Sequence, residues 1–386
     1  MVTQPYDKIS PAMQARYLSL SPYNLVRIIL GERLPSDTEA DNPYTRAAAL
    51  LKHWIGSGIL EHESAPGIYA YFQKFTSPET GQTLERKGFI ALGAVEDYSA
   101  GVVHRHEQTL SGPKKDRMEL LRHTHAHFGQ IFMLYPDPEL AIDKILDEAA
   151  ASLPITSLED EYGVKNRVWK MGDQAAIARI QALMAGKKLL IADGHHRYET
   201  ALAFRNENPE LAGAGKVMMT FVNMHAPGLE VLATHRVLSG IPVSLANKIQ
   251  ARKLASLDEL KQLFQSPAPD KIRIGVATGG GAVSLYERAR KPGELDVQVL
   301  HEELLGAALG IGEEAVREQK HIEYVRGLDA AFAKVRDGGA QMAFLLEPAS
   351  VQQVAEVAFS GGVMPQKSTD FYPKLLSGLT IYKLGA

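Results

Sequence analysis

The sequence of 386 residues contains no cysteine, and this absence removes several kinds of site at once. Without thiols the chain can form neither disulfide bonds nor thiolate metal sites, and it has no cysteine nucleophile. Any catalytic or metal-binding side chain must therefore offer oxygen or nitrogen to its ligand.

An excess of positive charge and long apolar runs are also missing. The net charge is −3 at pH 7, and no run of lysine and arginine is long enough to follow a phosphate backbone. No stretch approaches the roughly 20 apolar residues that span a bilayer, and the amino terminus lacks the pattern of a signal peptide. We therefore expect a cytoplasmic protein with no membrane partner, and we expect nucleic acid not to be its ligand.

The length of the chain indicates about two domains, because single domains commonly hold roughly 100 to 200 residues. Helical and strand patterns alternate throughout, which predicts a mixed α/β fold. The pattern starts afresh after about residue 240. We therefore predict an amino-terminal mixed α/β domain over residues 1–240 and a smaller α/β domain over residues 241–386.

A glycine triplet in the second half follows a strand pattern, "DKIRIGVA", and precedes another, "AVSLYERA". A phosphate-binding loop needs lysine and serine or threonine after its glycines, and a helix behind them. Neither feature is present here. The segment "TGGG" is therefore predicted to be a hairpin turn.

Four polar residues crowd the junction of a predicted strand and helix in "LLIADGHHRYETALAFRNE". The start of a helix leaves backbone N–H groups unpaired and carries partial positive charge, so it can bind an anion. Gly194 permits close backbone approach, and Arg197 can hold a phosphate through two hydrogen bonds. His195 and His196 can donate hydrogen bonds or bind a metal. We predict that these four residues bind phosphate.

Asp193 precedes this turn, and a carboxylate there would repel a phosphate unless it has another task. It can hold Mg²⁺, fix the tautomer of an imidazole or cap the helix. We predict a catalytic and magnesium-binding role for Asp193. The alternative interpretation is a helix cap followed by solvated histidines.

A carboxylate suited to general-base catalysis lies in "HRHEQTLSGPKKDR". Beside a bound phosphate donor, Glu107 can accept the proton of a substrate hydroxyl. We predict this role for Glu107, and substrate contacts for His106 and Thr109. The alternative is a loop carboxylate that pairs with Arg105 or Arg117.

Three further histidines, His123, His125 and His127, follow a helical pattern. On a helix, only His123 and His127 share a face, at the spacing that some zinc sites use. No glutamate follows in the order of H-E-x-x-H. Surface or half-buried histidines are the default interpretation, and metal ligands are the alternative.

The segment "PQKSTDFYPKLL" near the carboxyl end gathers two lysines, a serine and a threonine in a pattern typical of a loop. We predict that Lys367 and Ser368 contact the substrate. The alternative is a closing segment whose aromatic residues pack while its lysines remain solvated.

Several of these segments together resemble a bacterial and archaeal family known as domain of unknown function 1015, and the resemblance covers nearly the whole chain. They are "PYDKIS", "SPYNLVRIIL", "EDYSAGVVHRHEQTL", "KDRMELLR", "ADGHHRYETAL", "VNMHAPGLEVLATHR" and "MPQKSTDFYPKLLSGL". The name of this family implies no activity.

The pair "HEQT" and "DGHHR" is also similar to motifs of the free serine kinases in the ParB and sulfiredoxin-like superfamily. This likeness implies a strand-turn-helix phosphate site, ATP or ADP as the donor, and Mg²⁺. It implies that Glu107 is the catalytic glutamate, that Asp193 lies beside the metal, and that the nucleotide phosphates bind Gly194, His195, His196 and Arg197.

Three functions follow from these residues. The first is a kinase-like phosphotransferase acting on a small hydroxylated metabolite, with free L-serine as a candidate acceptor. The second is a metal-dependent hydrolase or phosphatase that uses Asp193, His195, His196 and the earlier histidines as ligands. The third is a noncatalytic nucleotide sensor.

Overall fold

Two β-sheets, one of eight strands and one of six, organise the computed structural model, which describes residues 1–107 and 112–385. Helices pack against both sheets, so the predicted mixed α/β class is confirmed. In these ranges every helix is too short or too polar to cross a membrane. Thr109, which was predicted to contact substrate, lies outside the described residues.

The strands, in chain order, are β1 (Ile68–Thr76), β2 (Thr83–Ala94), β3 (Val103–His104), β4 (Ala126–His127), β5 (Ile131–Tyr135), β6 (Thr156–Glu159), β7 (Lys165–Met171), β8 (Leu189–Asp193), β9 (Lys216–Asn223), β10 (Glu230–Leu232), β11 (Thr234–Leu238), β12 (Arg252–Lys253), β13 (Lys271–Thr278), β14 (Ala282–Ala289), β15 (Ile322–Arg326), β16 (Met342–Leu346), β17 (Asp370–Tyr372) and β18 (Tyr382–Lys383).

The α-helices are α1 (Pro11–Leu20), α2 (Val26–Ile29), α3 (Pro43–Gly56), α4 (Gly112–Thr124), α5 (Ala141–Ala149), α6 (Gln174–Met184), α7 (His195–Glu207), α8 (Leu257–Gln265), α9 (Asp296–Val299), α10 (Glu313–Arg317), α11 (Leu328–Arg336) and α12 (Val351–Phe359). A π-helical segment, Leu300–Ala308, continues α9.

The eight-stranded sheet has the order β3-β8-β5-β9-β2-β1-β7-β6. Its inner strand β5 is buried along its whole length, because side chains of opposite faces enter two different cores. Phe132 and Leu134 belong to a core that extends to the second sheet, whereas Met133 and Tyr135 pack with residues of α5 and α7. Strand β8, which ends at the predicted phosphate turn, lies beside β5.

The six-stranded sheet has the order β12-β14-β13-β16-β11-β15. Strands β13 and β14 pair antiparallel up to Thr278 and Ala282, and the glycine triplet forms the turn between them. Gly280 has a φ of +77°, which suits glycine in such a turn. The predicted hairpin is therefore confirmed.

Ala233 separates a strand of a small two-stranded sheet, β10-β17, from a strand of the six-stranded sheet. The sequence pattern "GLEVLATHRVL" predicts one strand, but the structure divides it into β10, which pairs with β17, and β11, which enters the six-stranded sheet. A periodic pattern shows which side chains are buried and cannot show that the partner strand changes. The predicted domain boundary near residue 240 remains a prediction. Strand β11, which begins at Thr234, already belongs to the six-stranded sheet.

The tail, residues 364–383, lies against both sheets. Its strand β18 pairs with β4, and its strand β17 pairs with β10. The buried guanidinium of Arg86 donates to the carbonyls of Tyr372, at 3.1 Å, and Pro373, at 2.5 Å. Arg236, on the second sheet, donates to the carbonyl of Gln366 at 3.1 Å. These contacts hold the tail at the junction of the two sheets.

Candidate functional site

A cavity of about 370 Å³ lies where the two sheets meet the tail. This volume falls within the range of roughly 300–1,000 Å³ that is typical of small-molecule sites. Its walls come from segments that are distant in sequence, and charges of both signs face it. The charged lining residues that matter below are Lys8, Glu107, Asp193, Arg326, Lys367 and Lys374.

The predicted strand-turn-helix forms one wall of this cavity. Strand β8 ends at Asp193, and Gly194, with a φ of +93°, is the N-cap of α7. A Cβ atom at Gly194 would lie 3.1 Å from the guanidinium carbon of Arg197, so both the backbone and the space favour glycine. Within the described part of the chain, no side chain caps this end of α7. Asp193 is therefore not the helix cap that the alternative interpretation required.

Both carboxylate oxygens of Asp193 lie next to cations. Oδ1 is 3.1 Å from Nζ of Lys374, and Oδ2 accepts a hydrogen bond from Arg197 at 2.6 Å. Burial alone would raise the pKa of Asp193, but Lys374, Arg197 and Lys8 together hold it well below its usual range. Asp193 is therefore an ionised carboxylate that joins the turn to the tail.

Both oxygens of Asp193 contact cations, so a divalent ion there would compete with Lys374 and Arg197 for the carboxylate. The magnesium-binding role of Asp193 remains a prediction. Over residues 1–107 and 112–385, no group of three or more acidic or histidine side chains is arranged to hold a metal.

Arg197 does not line the cavity. Its guanidinium contacts Asp193 and also donates to the carbonyl of Gln130. It faces a separate cavity of about 60 Å³ that Tyr6 and Arg117 also line. The side chain that was predicted to hold phosphate therefore lies behind Asp193 and fixes the orientation of that carboxylate.

His195 faces the large cavity and has an unpaired ring nitrogen. Its side chain is buried, and its Nε2 has no hydrogen-bond partner among the described residues. Burial, followed by the neighbouring His106, lowers its pKa well below the usual value, so the imidazole is neutral. His196, the next residue, is only half-buried and lies outside the wall of the cavity.

His106 lies behind the cavity wall and has no exposed surface. Its Nδ1 is 2.8 Å from the carbonyl oxygen of Ile191, and its Nε2 is 2.7 Å from Oγ1 of Thr369. Burial lowers the pKa of His106 to about 4. His106 therefore does not reach the cavity itself, and its hydrogen-bond partner Thr369 lines the cavity instead.

Glu107 lines the cavity as predicted for the candidate base. Its Oε1 accepts a hydrogen bond from the backbone N–H of Lys367 at 2.6 Å, and its backbone forms an isolated bridge with Met364. Burial raises the pKa of Glu107, although the charge of Lys367 opposes this effect. The carboxyl group is thus fixed by the tail at the edge of the cavity.

The ion pairs that the alternative interpretation gave to Glu107 have other partners. Arg105 lies 3.7 Å from Glu199, and Arg117 pairs with Asp116. Glu107 is therefore not the carboxylate that neutralises either arginine.

The two predicted substrate residues of the tail separate in the structure. Lys367 is exposed and lines the large cavity. Ser368 is buried, donates its hydroxyl to the carbonyl of Pro365 at 2.5 Å, and faces a different cavity of about 20 Å³. Ser368 is thus held away from the candidate site.

The structure also corrects the expected helix face of the third histidine group. Helix α4 ends at Thr124, His125 has a φ of +46°, and His127 lies in β4. His123 is exposed on the helix, whereas the ring of His127 stacks on Tyr382 with centroids 6.0 Å apart. The two histidines therefore share no helix face.

Lys8, Arg326 and Asp370 had no sequence signal of their own, and Thr369, a polar residue of "PQKSTDFYPKLL", was not among the residues predicted to contact substrate. Lys8 and Arg326 come from a short turn and from β15, and Asp370 and Thr369 come from the tail. Nζ of Lys374 lies 3.1 Å from Asp370, whose other oxygen accepts from Arg326 at 2.6 Å. Only the packing of the tail between the sheets brings these residues together.

Two further lysines, Lys8 and Lys367, line the cavity wall. Among the described residues, neither Lys8 nor Lys367 forms an ion pair, whereas Lys374 lies between two carboxylates. Burial, and then the charges of Lys374 and Lys367, lower the pKa of Lys8. An anion near Lys8 and Lys367 would therefore meet positive charge, although five carboxylates also line the cavity: Asp7, Glu107, Asp160, Asp193 and Asp370.

A family model described as "Protein of unknown function (DUF1015)" matches residues 1–330. No curated protein matches the sequence significantly.

The fold is similar, at low sequence identity, to several solved structures. One is a free serine kinase in complex with AMP, with 11% identity and a TM-score of 0.41 over 73% of this chain and 86% of that chain. Another is a conserved hypothetical protein from Pyrococcus furiosus, with 12% identity and a TM-score of 0.39 over 73% and 90%. A third is SbnI with C-terminal truncation from Staphylococcus aureus, with 12% identity and a TM-score of 0.38 over 75% and 85%. At TM-scores this low the similarity carries no argument about function.

Proposed function

We propose that this chain, which belongs to the DUF1015 family, is a small-molecule phosphotransferase that binds a nucleotide and a hydroxylated acceptor in the cavity at the junction of its sheets. One observation carries this proposal: the same cavity holds a fixed carboxylate, the uncapped start of a helix, and two lysines without ion pairs. A phosphoryl transfer needs a proton acceptor and a cradle for phosphate side by side.

The anion side of the proposed site is built from α7 and two lysines. His195, the first residue of α7, lines the cavity, and the helix dipole favours negative charge at this end of the helix. Lys8 and Lys367 add full positive charges on the cavity wall. The neutral imidazole of His195 lines the same wall.

Glu107 is the proposed general base. The acceptor hydroxyl gives its proton to the Glu107 carboxylate while its oxygen forms a bond to the transferred phosphorus. The bond from that phosphorus to the nucleotide oxygen breaks, and the shortened nucleotide leaves with the bonding electron pair. A raised pKa makes the Glu107 carboxylate a better proton acceptor than an exposed one.

Asp193 and Arg197 act as positioning residues in this proposal. Arg197 orients Asp193, and Asp193 holds Lys374 at the wall of the cavity. No step is assigned to a metal held by the chain, because Asp193 already contacts Arg197 and Lys374. Mg²⁺ is expected to enter with the nucleotide, whose own phosphates bind it.

The donor class is ATP or ADP, and free L-serine is the first acceptor to test because two motifs resemble those of free serine kinases. The full chain is mixed with labelled nucleotide, Mg²⁺ and hydroxylated amino acids, with alanine as the control that lacks a hydroxyl group. We expect a phosphorylated product from at least one hydroxylated compound and none from alanine. Failure to bind either nucleotide or to form any product contradicts the proposal.

A further inference from the structure

A short chain of hydrogen bonds runs from a strand of the first sheet to the cavity wall. It joins the carbonyl of Ile191 to His106 at 2.8 Å, and His106 to the hydroxyl of Thr369 at 2.7 Å. His106 has no exposed surface, and Thr369 is 9% exposed and faces the cavity. This series of hydrogen bonds determines which way the hydroxyl hydrogen of Thr369 points.

The direction follows from the chemistry of each group. A carbonyl oxygen can only accept, so Nδ1 of His106 must carry a hydrogen. A neutral imidazole has one N–H, so Nε2 is an acceptor and the Thr369 hydroxyl donates to it. Burial keeps the ring neutral, since it lowers the pKa of His106 to about 4. The single hydrogen of Thr369 is then used, and only its oxygen lone pairs are left for the cavity.

We infer that Oγ1 of Thr369 is a fixed hydrogen-bond acceptor that selects ligands carrying a hydroxyl or ammonium donor at that point of the cavity. A ligand with an ether or a carbonyl there would place lone pair against lone pair. This inference rests on the proposed function, because it restricts the acceptor substrate of the same site. Thr369 determines specificity, and His106 is the positioning residue behind it.

The first test measures the tautomer directly. Nitrogen NMR of the full chain with labelled histidine distinguishes protonated from bare ring nitrogens, and His106→Asn identifies the signals of His106. We expect a protonated Nδ1 and a bare, hydrogen-bonded Nε2 at pH 7. In Thr369→Val the Nε2 signal should move to the chemical shift of a bare ring nitrogen that accepts no hydrogen bond. A protonated Nε2 in the wild type overturns the inference.

The second test measures selection by the cavity. Small alcohols are paired with their O-methyl ethers, which lack the hydroxyl hydrogen, and the binding of each compound to the full chain is compared by ligand-observed NMR. We expect the best-bound parent compound to bind at least about tenfold more tightly than its capped derivative. The ratio should persist in Thr369→Ser, which keeps the hydroxyl, and approach one in Thr369→Val, which keeps the shape.

The inference is overturned when no parent compound is preferred, or when Thr369→Val keeps the wild-type ratio. Its failure can be separated from failure of the proposed function. If the cavity selects hydrogen-bond donors but no phosphoryl transfer occurs, the proposed phosphotransferase function is wrong and the role of Thr369 remains. If transfer occurs and Thr369→Val chooses the same acceptor as the wild type, only the role of Thr369 is wrong.

Discussion

Nζ of Lys374 lies 3.1 Å from a carboxylate oxygen of Asp193, although 181 positions separate the two residues in the sequence. The same nitrogen is 3.1 Å from Asp370, and the lysine side chain is only 9% exposed. Burial would lower the pKa of Lys374, but Asp193 and Asp370 raise it above its usual value. One buried ammonium thus joins the turn before α7 to the tail.

Replacement of Lys374 by methionine should destabilise the fold, because it leaves two buried carboxylates with one cation fewer. Removing one partner of a buried ion pair costs about 3–5 kcal/mol, and we expect a loss of that size in the free energy of unfolding. Urea unfolding measures it. Lys291→Met is the control, since Lys291 is 75% exposed and 3.8 Å from its partner, and its loss should be below about 1 kcal/mol. Equal losses in the two variants contradict the assignment.

Gly194→Ala should strain the turn before α7. An alanine would have to adopt a φ near +93°, and its Cβ would meet the Arg197 guanidinium at 3.1 Å. We expect the free energy of unfolding to fall by about 1–2 kcal/mol and nucleotide affinity to weaken. The matched control is Gly215→Ala, which meets no atom within 4 Å, and it should not destabilise the protein. The account of the turn is wrong when both variants have wild-type stability.

How much of this site the sequence predicts depends on how local each contact is. The strand-turn-helix around Gly194 is predicted, because apolar runs and helical spacing are signals within a few residues. Lys8 and Arg326 are missed as site residues, because they meet at the cavity only when the tail packs at the junction of the sheets. No pattern among neighbouring residues predicts how the tail packs.

The same limit explains the histidine group and Arg197. The end of α4 at Thr124 has neither glycine nor proline to mark it, so a continuous helix to His127 is the natural prediction. Arg197 has the right charge and position for phosphate, but its contacts with Asp193 and Gln130 appear only in the folded chain.

Stability should fall as the pH drops from about 6.5 to about 4. Burial lowers the pKa of both His106 and His235 to about 4, whereas the unfolded imidazoles regain values near 6.5. Between these values the unfolded chain holds more protons, so acid favours unfolding by about 1.4 kcal/mol per pH unit for each histidine. Above about pH 6.5 these two histidines do not lower the free energy of unfolding, and below about pH 4 their destabilising effect is complete.

The variant His235→Asn tests this dependence. Asparagine can accept the hydrogen bond that Nδ1 of His235 receives from the N–H of Leu346, at 3.1 Å, but it does not titrate. Urea unfolding between pH 4.5 and 6 should give a slope lower by about 1.4 kcal/mol per pH unit. His62→Asn, at an exposed position, is the control and should keep the wild-type slope. An unchanged slope in His235→Asn contradicts the assignment.

Separate fragments test the predicted boundary near residue 240. A fragment of residues 1–240 contains β11 without its sheet, and it lacks the tail strands β17 and β18. We expect this fragment alone to show no cooperative unfolding, because Arg86 and β10 lose their partners in the tail. Addition of residues 241–386 should restore cooperativity. Cooperative unfolding of the fragment alone would show that residues 1–240 fold independently.

The central claim is that the cavity binds a nucleotide and that Glu107 accepts the proton of the acceptor hydroxyl. Its most direct test is the rate of phosphoryl transfer at saturating nucleotide in the wild type and in Glu107→Gln, with exposed Glu61→Gln as the control. We expect transfer by the wild type and by Glu61→Gln, and a rate lower by about 10²–10⁴ in Glu107→Gln. A Glu107→Gln variant that transfers phosphate at the wild-type rate contradicts the account, as does a wild type that binds nucleotide but transfers nothing.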